Sequence, residues 1–384
     1  MHDAPAQYAT TGRNVLVLRK PHALNPMNAP RRRKAPARPQ QLCEAEVVAG
    51  LKDQAASELR TRFGSDARLL RKARPDELPF HYRGELAALG TVGKSNAINL
   101  VQHFDIPRPA AFLGHQHQTR LLRQIDSVRS LHESGSFHSF RISAAGRESP
   151  VMQRLRDAIA RQTNLVYDER EGDLLLRIRK ADLHQAGWEL LTRLTPRPLS
   201  ARSWRVRNLP GALNATIAAA MIELTHPQPE DRFFNMMCGS GTLLVERLLR
   251  APLLAAAGCD TDPHALRCAT DNLRAAGAEE LAQLFPMDAT RLELPDASID
   301  VLCADLPWGQ LLGSHENNLT LYPLVLAEAA RVAAPGARAV FITHEIRLME
   351  RTLRDFADRW TTQKEVRVFQ GGLHPRIYLL ARRD

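Results

Sequence analysis

No apolar run in this sequence approaches the ~20 residues that a membrane-spanning helix needs. The first residues also lack the apolar core of a secretory signal. The chain is therefore expected to be soluble and cytoplasmic, with no membrane partner. Cysteine is sparse as well. The five residues at 43, 238, 259, 268 and 303 are odd in number and never stand in C-x-x-C spacing. Neither a disulfide framework nor a zinc site fits that pattern, so no metal is expected and the five read as buried thiols. Acidic residues are almost missing from the first 41 positions, which hold one of them against eight Lys and Arg.

With 384 residues there is room for two or three domains, each with an adequate core. The formal charge of +10 is unevenly spread: +7 over residues 1–41, +1 over 42–119, +7 over 120–207 and −5 over 208–384. A basic front and an acidic back suggest that the N-terminal part holds a polyanion while the rest acts on it. Solvated arginines without a role would give the same count.

Residues 1–41, rich in Pro and Ala and carrying Arg31-Arg32-Arg33-Lys34, show no sustained periodicity and read as a disordered basic tail. Residues 42–119 read as an N-terminal α/β domain of ferredoxin-like type, with a strand near Glu44–Val48 and a helix over 52–63. Residues 120–195 read as a second small module: a strand over 137–142, a helix opened by Ser149-Pro150, and a strand over 174–178. Arg154, Arg156 and Arg161 beside that helix, with Arg141, Arg177, Arg179 and Lys180 on its neighbours, suggest one basic face. Thr195-Pro196-Arg197-Pro198 is a stiff joint, and a third domain is placed at 196–384. In that domain strand and helix signals alternate, with a helix expected over 321–334 and ended by Pro335-Gly336. Repeated β then α implies a parallel sheet with helices on both faces, closed by an antiparallel pair around Gly371-Gly372-Leu373-His374-Pro375.

The stretch Arg232–Glu246 organises this last domain. Apolar Phe233, Phe234, Met236 and Met237 end a buried strand. Gly239-Ser240-Gly241 turns the chain, and from Thr242 the apolar spacing becomes helical. Such a turn lets a ligand approach the backbone and aims free N–H groups at it. Ligands of open α/β sheets sit beyond the carboxyl ends of the strands, and three acids fall there. Asp260, 19 residues after Gly241, is placed to accept ribose hydroxyls; Asp288 is placed to receive an adenine amine; Asp305 opens Asp305-Leu306-Pro307-Trp308-Gly309. Each alone is more often a cap or turn residue, and three at successive strand ends in register with a glycine turn weaken that reading. A dinucleotide dehydrogenase would share the turn and the acid, but Leu244 stands where the third glycine of G-x-G-x-x-G belongs.

Together these residues resemble the class I S-adenosylmethionine-dependent methyltransferases, and more narrowly the THUMP-domain-containing RNA (guanosine-N2)-methyltransferases. Asn235-Met236-Met237-Cys238-Gly239-Ser240-Gly241-Thr242 is similar to that family's Asp-Pro-x-Cys-Gly-Ser-Gly-Thr cofactor loop. Asp305-Leu306-Pro307-Trp308-Gly309 is similar to its catalytic turn, and Leu209-Pro210-Gly211-Ala212-Leu213 to the segment before the cofactor domain. Asn235 and Met236 replace the family's Asp and Pro, which removes a carboxylate from the methionine ammonium and leaves the loop N–H groups in place. The resemblance implies a Rossmann-like methyltransferase domain with a seven-stranded mixed sheet, preceded by a smaller α+β THUMP-like RNA-binding region.

Its implied cofactor is S-adenosyl-L-methionine, held by Leu213, Asn235, Met237, Cys238, Gly239, Ser240, Gly241, Thr242, Asp260, Thr261, Asp288 and Ala289. Its implied catalytic residues are Asp305, Leu306, Pro307 and Trp308. His374, on the last loop, opens by topology toward the same face and is not expected to be catalytic. The implied substrate is tRNA, bound by a monomer and methylated on N2 of guanosine 6. Guanosine 10, a ribosomal RNA guanosine, an N6-adenine DNA methyltransferase and a silent RNA-binding protein are the alternatives.

Overall fold

The computed structural model describes residues 39–71, 74–181, 186–309 and 314–383, so the basic tail expected over 1–41 lies almost wholly outside the described residues. Its last position, Gln41, already begins the first strand. Eight strands build the N-terminal half: β1 (Gln41–Glu46), β2 (Ala67–Leu69), β3 (Glu77–Tyr82), β4 (Ala97–Phe104), β5 (Ser139–Ala144), β6 (Val166–Tyr167), β7 (Leu174–Lys180) and β8 (Trp188–Arg193). They form one sheet in the order β2-β3-β1-β4-β8-β7-β5-β6. Residues 42–119 and 120–195, expected as separate modules, are thus joined edge to edge by the antiparallel pairing of β4 with β8, Asn99 opposite Arg193 through Phe104 opposite Trp188.

Three helices cover one face of this sheet: α1 (Lys52–Phe63), α2 (His115–Arg129) and α3 (Pro150–Thr163). Leu59, Leu121, Ile125, Leu155 and Ile159 pack there on Phe80, Phe140, Leu174, Leu176 and Ile178. Strand alternation then sends Arg177 and Arg179 to the opposite face. The expected single basic face is corrected on this point. Arg179 is the hub of a carboxylate cluster, 2.8 Å from Glu77 and 3.0 Å from Glu189 and also paired with Glu44, and Arg177 lies 2.8 Å from Glu46. The cations left on the helix side include exposed Arg123 on α2 with Arg154 and Arg161 on α3.

The C-terminal half adds β9 (Arg232–Asn235), β10 (Ala255–Cys259), β11 (Gln283–Phe285), β12 (Ile299–Asp305), β13 (Ala333–Thr343), β14 (Trp360–Arg367) and β15 (Arg376–Arg382). Their order is β11-β10-β9-β12-β13-β15-β14, and β15 runs antiparallel to both its neighbours. This is the expected seven-stranded mixed sheet. Helices α4 (Ala215–Leu224), α5 (Thr242–Leu248) and α6 (Pro263–Ala275) pack on one face, and α7 (His315–Val332) and α8 (Ile346–Asp355) on the other. Successive Phe233 and Phe234 accordingly enter different cores. Among the described residues, no helix is long and apolar enough to cross a membrane.

Two boundaries in this half differ from the sequence reading. Helix α7 begins at His315 rather than at 321, capped by the Ser314 hydroxyl, and holds Pro323 in its interior. Pro335-Gly336 does not end that helix; the exposed pair bulges out of β13, whose register against β12 shifts between Ile299 and Val301.

The two halves share a core. Val48 and Leu51 pack with Trp204, Met221, Val366 and Val368 in the second half's hydrophobic cluster. Lys94, which is 3% exposed, reaches Glu223 on α4 at 3.1 Å, and Arg202 joins the Gly93 carbonyl (2.5 Å) to Glu246 on α5 (2.7 Å).

Candidate active site

In this strand order β9 and β12 are adjacent although two strands separate them in sequence, and the crevice at such a switch point is where α/β sheets bind ligands. Asn235 pairs with Cys303, which brings the turn after β9 beside the turn after β12. Between them opens a cleft of about 580 Å³, within the range of small-molecule sites. Every site residue expected from the sequence lines it except Gly241. Gly241 has φ +79°, caps α5, and has room only for hydrogen on the α6 side, where a Cβ would lie 3.1 Å from that of Ala269. It shapes the turn at the start of α5. Leu243, Met287, Leu321, Gln370, Gly371 and Leu373 also line the cleft and were not anticipated. They come from positions whose local sequence reads only as helix, strand or loop.

The glycine loop is a concave run of backbone. Met237 (φ +53°), Gly239 (φ +55°) and Gly241 alternate through the left-handed region, a pattern that turns successive N–H groups inward. The strain at non-glycine Met237 is held by flanking bonds, Met236 N–H to Cys303 O (2.8 Å) and Cys238 N–H to Cys259 O (2.7 Å). Nothing lies within 4 Å of the place a Cβ would take on Gly239, so the loop is open on that side. Cys238 is buried, which pushes its thiol well above the ordinary cysteine range and keeps it inert.

The three strand-end acids have distinct partners. Asp260 accepts the Gly239 N–H at 2.8 Å and the Asp262 N–H at 3.0 Å, one on each oxygen, so it clamps the loop as well as facing the cleft. Asp288 takes the Thr290 N–H and hydroxyl on one oxygen, both at 2.8 Å, and is otherwise exposed. Asp305 accepts the indole N–H of Trp308 at 3.1 Å; burial pushes its carboxyl up to about 7, and that hydrogen bond lowers it in part.

Two details bear on what the cleft can hold. Asn235 spends its amide NH2 on the Met236 and Cys303 carbonyls, and its buried Oδ1 has no hydrogen-bond partner. A buried acceptor without a donor is costly, and an ammonium group of a ligand would satisfy it without a carboxylate. In the turn after β12, the Pro307 carbonyl already accepts from Asn318 (3.0 Å) and Tyr322 (2.6 Å) of α7. Among the described residues the Leu306 carbonyl has no such donor and is the one of that pair left to a substrate. Carboxylates of Asp260 and Asp288 at the strand ends, a glycine loop open beside Gly239 and the orphan acceptor of Asn235 suit a nucleoside carrying an amino-acid tail.

The comparisons with known proteins agree with this chemistry. Residues 202–376 match the family model of the RMKL-like methyltransferase domain. Over 200 residues the chain is 31% identical to the tRNA (guanine(6)-N(2))-methyltransferase THUMP3 of Mus musculus, a match covering 48% of this chain and 40% of that protein. Over 135 residues it is 33% identical to the U6 snRNA (guanine-N(2))-methyltransferase THUMPD2 of Bos taurus, covering 35% and 26%. The matched stretch thus spans less than half the length of either relative. The crystal structure of TrmN from Thermus thermophilus shares the fold, with a TM-score of 0.68 at 22% identity over 89% of this chain and 99% of that one. Residues 202–376 are thus similar to the RMKL-like methyltransferase domain, whose cofactor is S-adenosyl-L-methionine.

The clamp made by Asp260 gives a direct expectation. Asp260→Ala removes an acceptor for ribose hydroxyls and frees the Gly239 loop, and should cost about 1 to 3 kcal/mol of cofactor affinity. Calorimetry on the folded variant measures this; unchanged affinity would remove Asp260 from the cofactor site.

Proposed function

We propose that this chain, with its RMKL-like methyltransferase domain, is an RNA methyltransferase that transfers a methyl group to N2 of a guanosine, with tRNA as substrate and guanosine 6 of the acceptor stem as target. The observation that carries the reading is the pairing of a half-buried Asp305 carboxylate with the Leu306 carbonyl, unoccupied among the described residues, beside each other in the lining of the cleft. Both similar proteins named above are, by their names, guanine-N2 methyltransferases acting on RNA.

A guanine N2 lone pair is delocalised into the ring and is a poor nucleophile. The Leu306 carbonyl and the oxygen of Asp305 that Trp308 does not occupy would each accept one N–H of the amine. Drawing both hydrogens into that plane localises the lone pair on nitrogen and points it into the cleft. S-adenosyl-L-methionine supplies an electrophilic methyl on its sulfonium. As the N–C bond forms and the S–C bond breaks, Asp305 takes the released proton. Positioning of this kind can supply up to about 7 to 11 kcal/mol of a barrier. Trp308, held by its bond to Asp305, offers a ring for the base to stack on once it has left its helix. Asn318 and Tyr322 hold the turn from behind through the Pro307 carbonyl.

The basic stretch 120–207 and exposed Arg123, Arg154 and Arg161 support a polyanion held by the N-terminal half, read as a THUMP-like module. Incubation of the full chain with tRNA and methyl-labelled cofactor, followed by nucleoside mass spectrometry, tests the proposal. N2-methylguanosine is the expected product. N6-methyladenosine would assign the turn to an adenine amine, and no methylated nucleoside would make the chain a binding protein.

A further inference from the structure

The loop between β14 and β15 has a role beyond closing the sheet. It lies at the carboxyl end, since Thr343, the last residue of β13, pairs with Arg376, the first of β15. Gln370, Gly371 and Leu373 line the cofactor cleft. The loop is fixed at both base and tip: Val368 N–H bonds to Pro375 O at 3.0 Å, and Gln370 and Leu373 exchange N–H···O bonds of 3.0 and 2.9 Å. Gly371 (φ +58°) and Gly372 (φ +83°) make the tight turn. The Gln370 side chain in addition accepts the Asn214 N–H at 3.4 Å.

On this braced loop one large ring is left in water. Phe369 is 46% exposed while Val368 beside it is 1% exposed in the core. Strand alternation accounts for its outward direction, but not for an aromatic at the rim of the cleft. Its ring lies 5.2 Å from that of exposed His374 across the loop, tilted by 52°, so the two form one small platform. Along the same edge, one strand closer to Asp305, His344 follows β13 with its ring 6.2 Å from Trp308 at 33°. Rings therefore follow the sheet edge outward from the catalytic turn. An enzyme that takes a base out of a helix leaves a gap, and the neighbouring base loses a stacking partner. A rigid exposed aromatic beside the site replaces that partner at little entropic cost.

We infer that Phe369, backed by His374, stacks on the nucleotide next to the methylated guanosine and keeps the target base out of its helix. The inference rests on the RNA reading above. It makes Phe369 a positioning residue: it touches the RNA and neither the cofactor nor the reacting amine.

The test uses the full chain, a tRNA substrate and three substitutions. Phe369→Ala should lower kcat/KM for the RNA by roughly 10- to 100-fold, the range of one lost base stack. Phe369→Leu should fall with Ala, being apolar without a stacking face, and Phe369→Trp should stay near the wild type. Cofactor affinity should be the same in all three, and the salt dependence of RNA binding should keep its slope because no phosphate contact is lost. Wild-type rates in the Ala or Leu variant would overturn the stacking role. A parallel loss of cofactor affinity would overturn it in favour of a structural one. Wild-type protein that methylates no guanosine in RNA sinks the functional reading instead, and this is seen before any variant is compared.

Discussion

Asp305→Ala should lose about three or more powers of ten in kcat while keeping tRNA and S-adenosyl-L-methionine affinity within a few-fold. On the proposed function the carboxylate meets one amine, whereas the grip on the RNA would be spread over many phosphate contacts elsewhere. Asp305→Asn should retain more activity than Ala. Its amide oxygen can accept either the substrate N–H or the Trp308 indole, which lies 3.1 Å from the native carboxylate, although it cannot take the proton. The comparison separates lost chemistry from a released Trp308. The wild-type pH profile carries the same information, because burial raises the Asp305 carboxyl to about 7. Below that pH the group is protonated and cannot take the amine proton, so kcat/KM should rise with pH and level off above about 7. The limb in kcat should lie at lower pH, since a sulfonium nearby favours the carboxylate. A flat profile, or an Ala variant losing RNA affinity and rate equally, would make Asp305 a structural turn residue.

The largest expected loss of stability lies at the other end of the same sheet. Asp231, 3% exposed, accepts from fully buried Arg247 at 3.3 Å, from Arg338, and from the Gln228 N–H at 2.8 Å. These groups come from α5, β13 and the segment after α4, so one carboxylate fixes three neighbours at the start of β9. Asp231→Ala leaves Arg247 buried without its counter-charge, which should cost about 3 to 5 kcal/mol of stability. Replacing Arg247 with Leu in addition should recover part of that, because no orphan cation remains. Denaturant titration reads both variants. Full stability in Asp231→Ala would show that the carbonyls of Gln228, Ala251 and Pro252, which also bind Arg247, suffice for it.

How much of this was legible depends on how local the signal is. The start of α5 could be read because Gly239-Ser240-Gly241 changes the apolar spacing within a few residues, and the cap of α6 because Asp262 precedes Pro263. Asp260, Asp288 and Asp305 could be read because topology puts strand ends together whatever the loops do. Pairing of β4 with β8 left no such trace, since it joins residues about ninety apart whose alternation is compatible with many partners. The same holds for Arg179, whose partner Glu44 is 135 residues away; its sequence context shows only one more arginine in a basic stretch. The expected start of α7 at 321 missed its first turns, which begin at His315 behind a Ser314 cap and carry Pro323 in the helix interior. That Leu306 rather than Pro307 offers the carbonyl followed only from Asn318 and Tyr322, one turn apart on α7.

The claim at the centre of this account is that the Asp305-Leu306 pair acts on an exocyclic guanine amine. Inosine differs from guanosine by the absence of that amine alone, so the direct measurement is single-turnover methyl transfer to a tRNA carrying inosine at the modified position, position 6 on this reading. The account predicts that the inosine RNA binds within a few-fold of the guanosine RNA and receives no methyl group there. Transfer to that inosine at a comparable rate would contradict it, because the methyl would then be going to an atom that Asp305 and Leu306 do not hold.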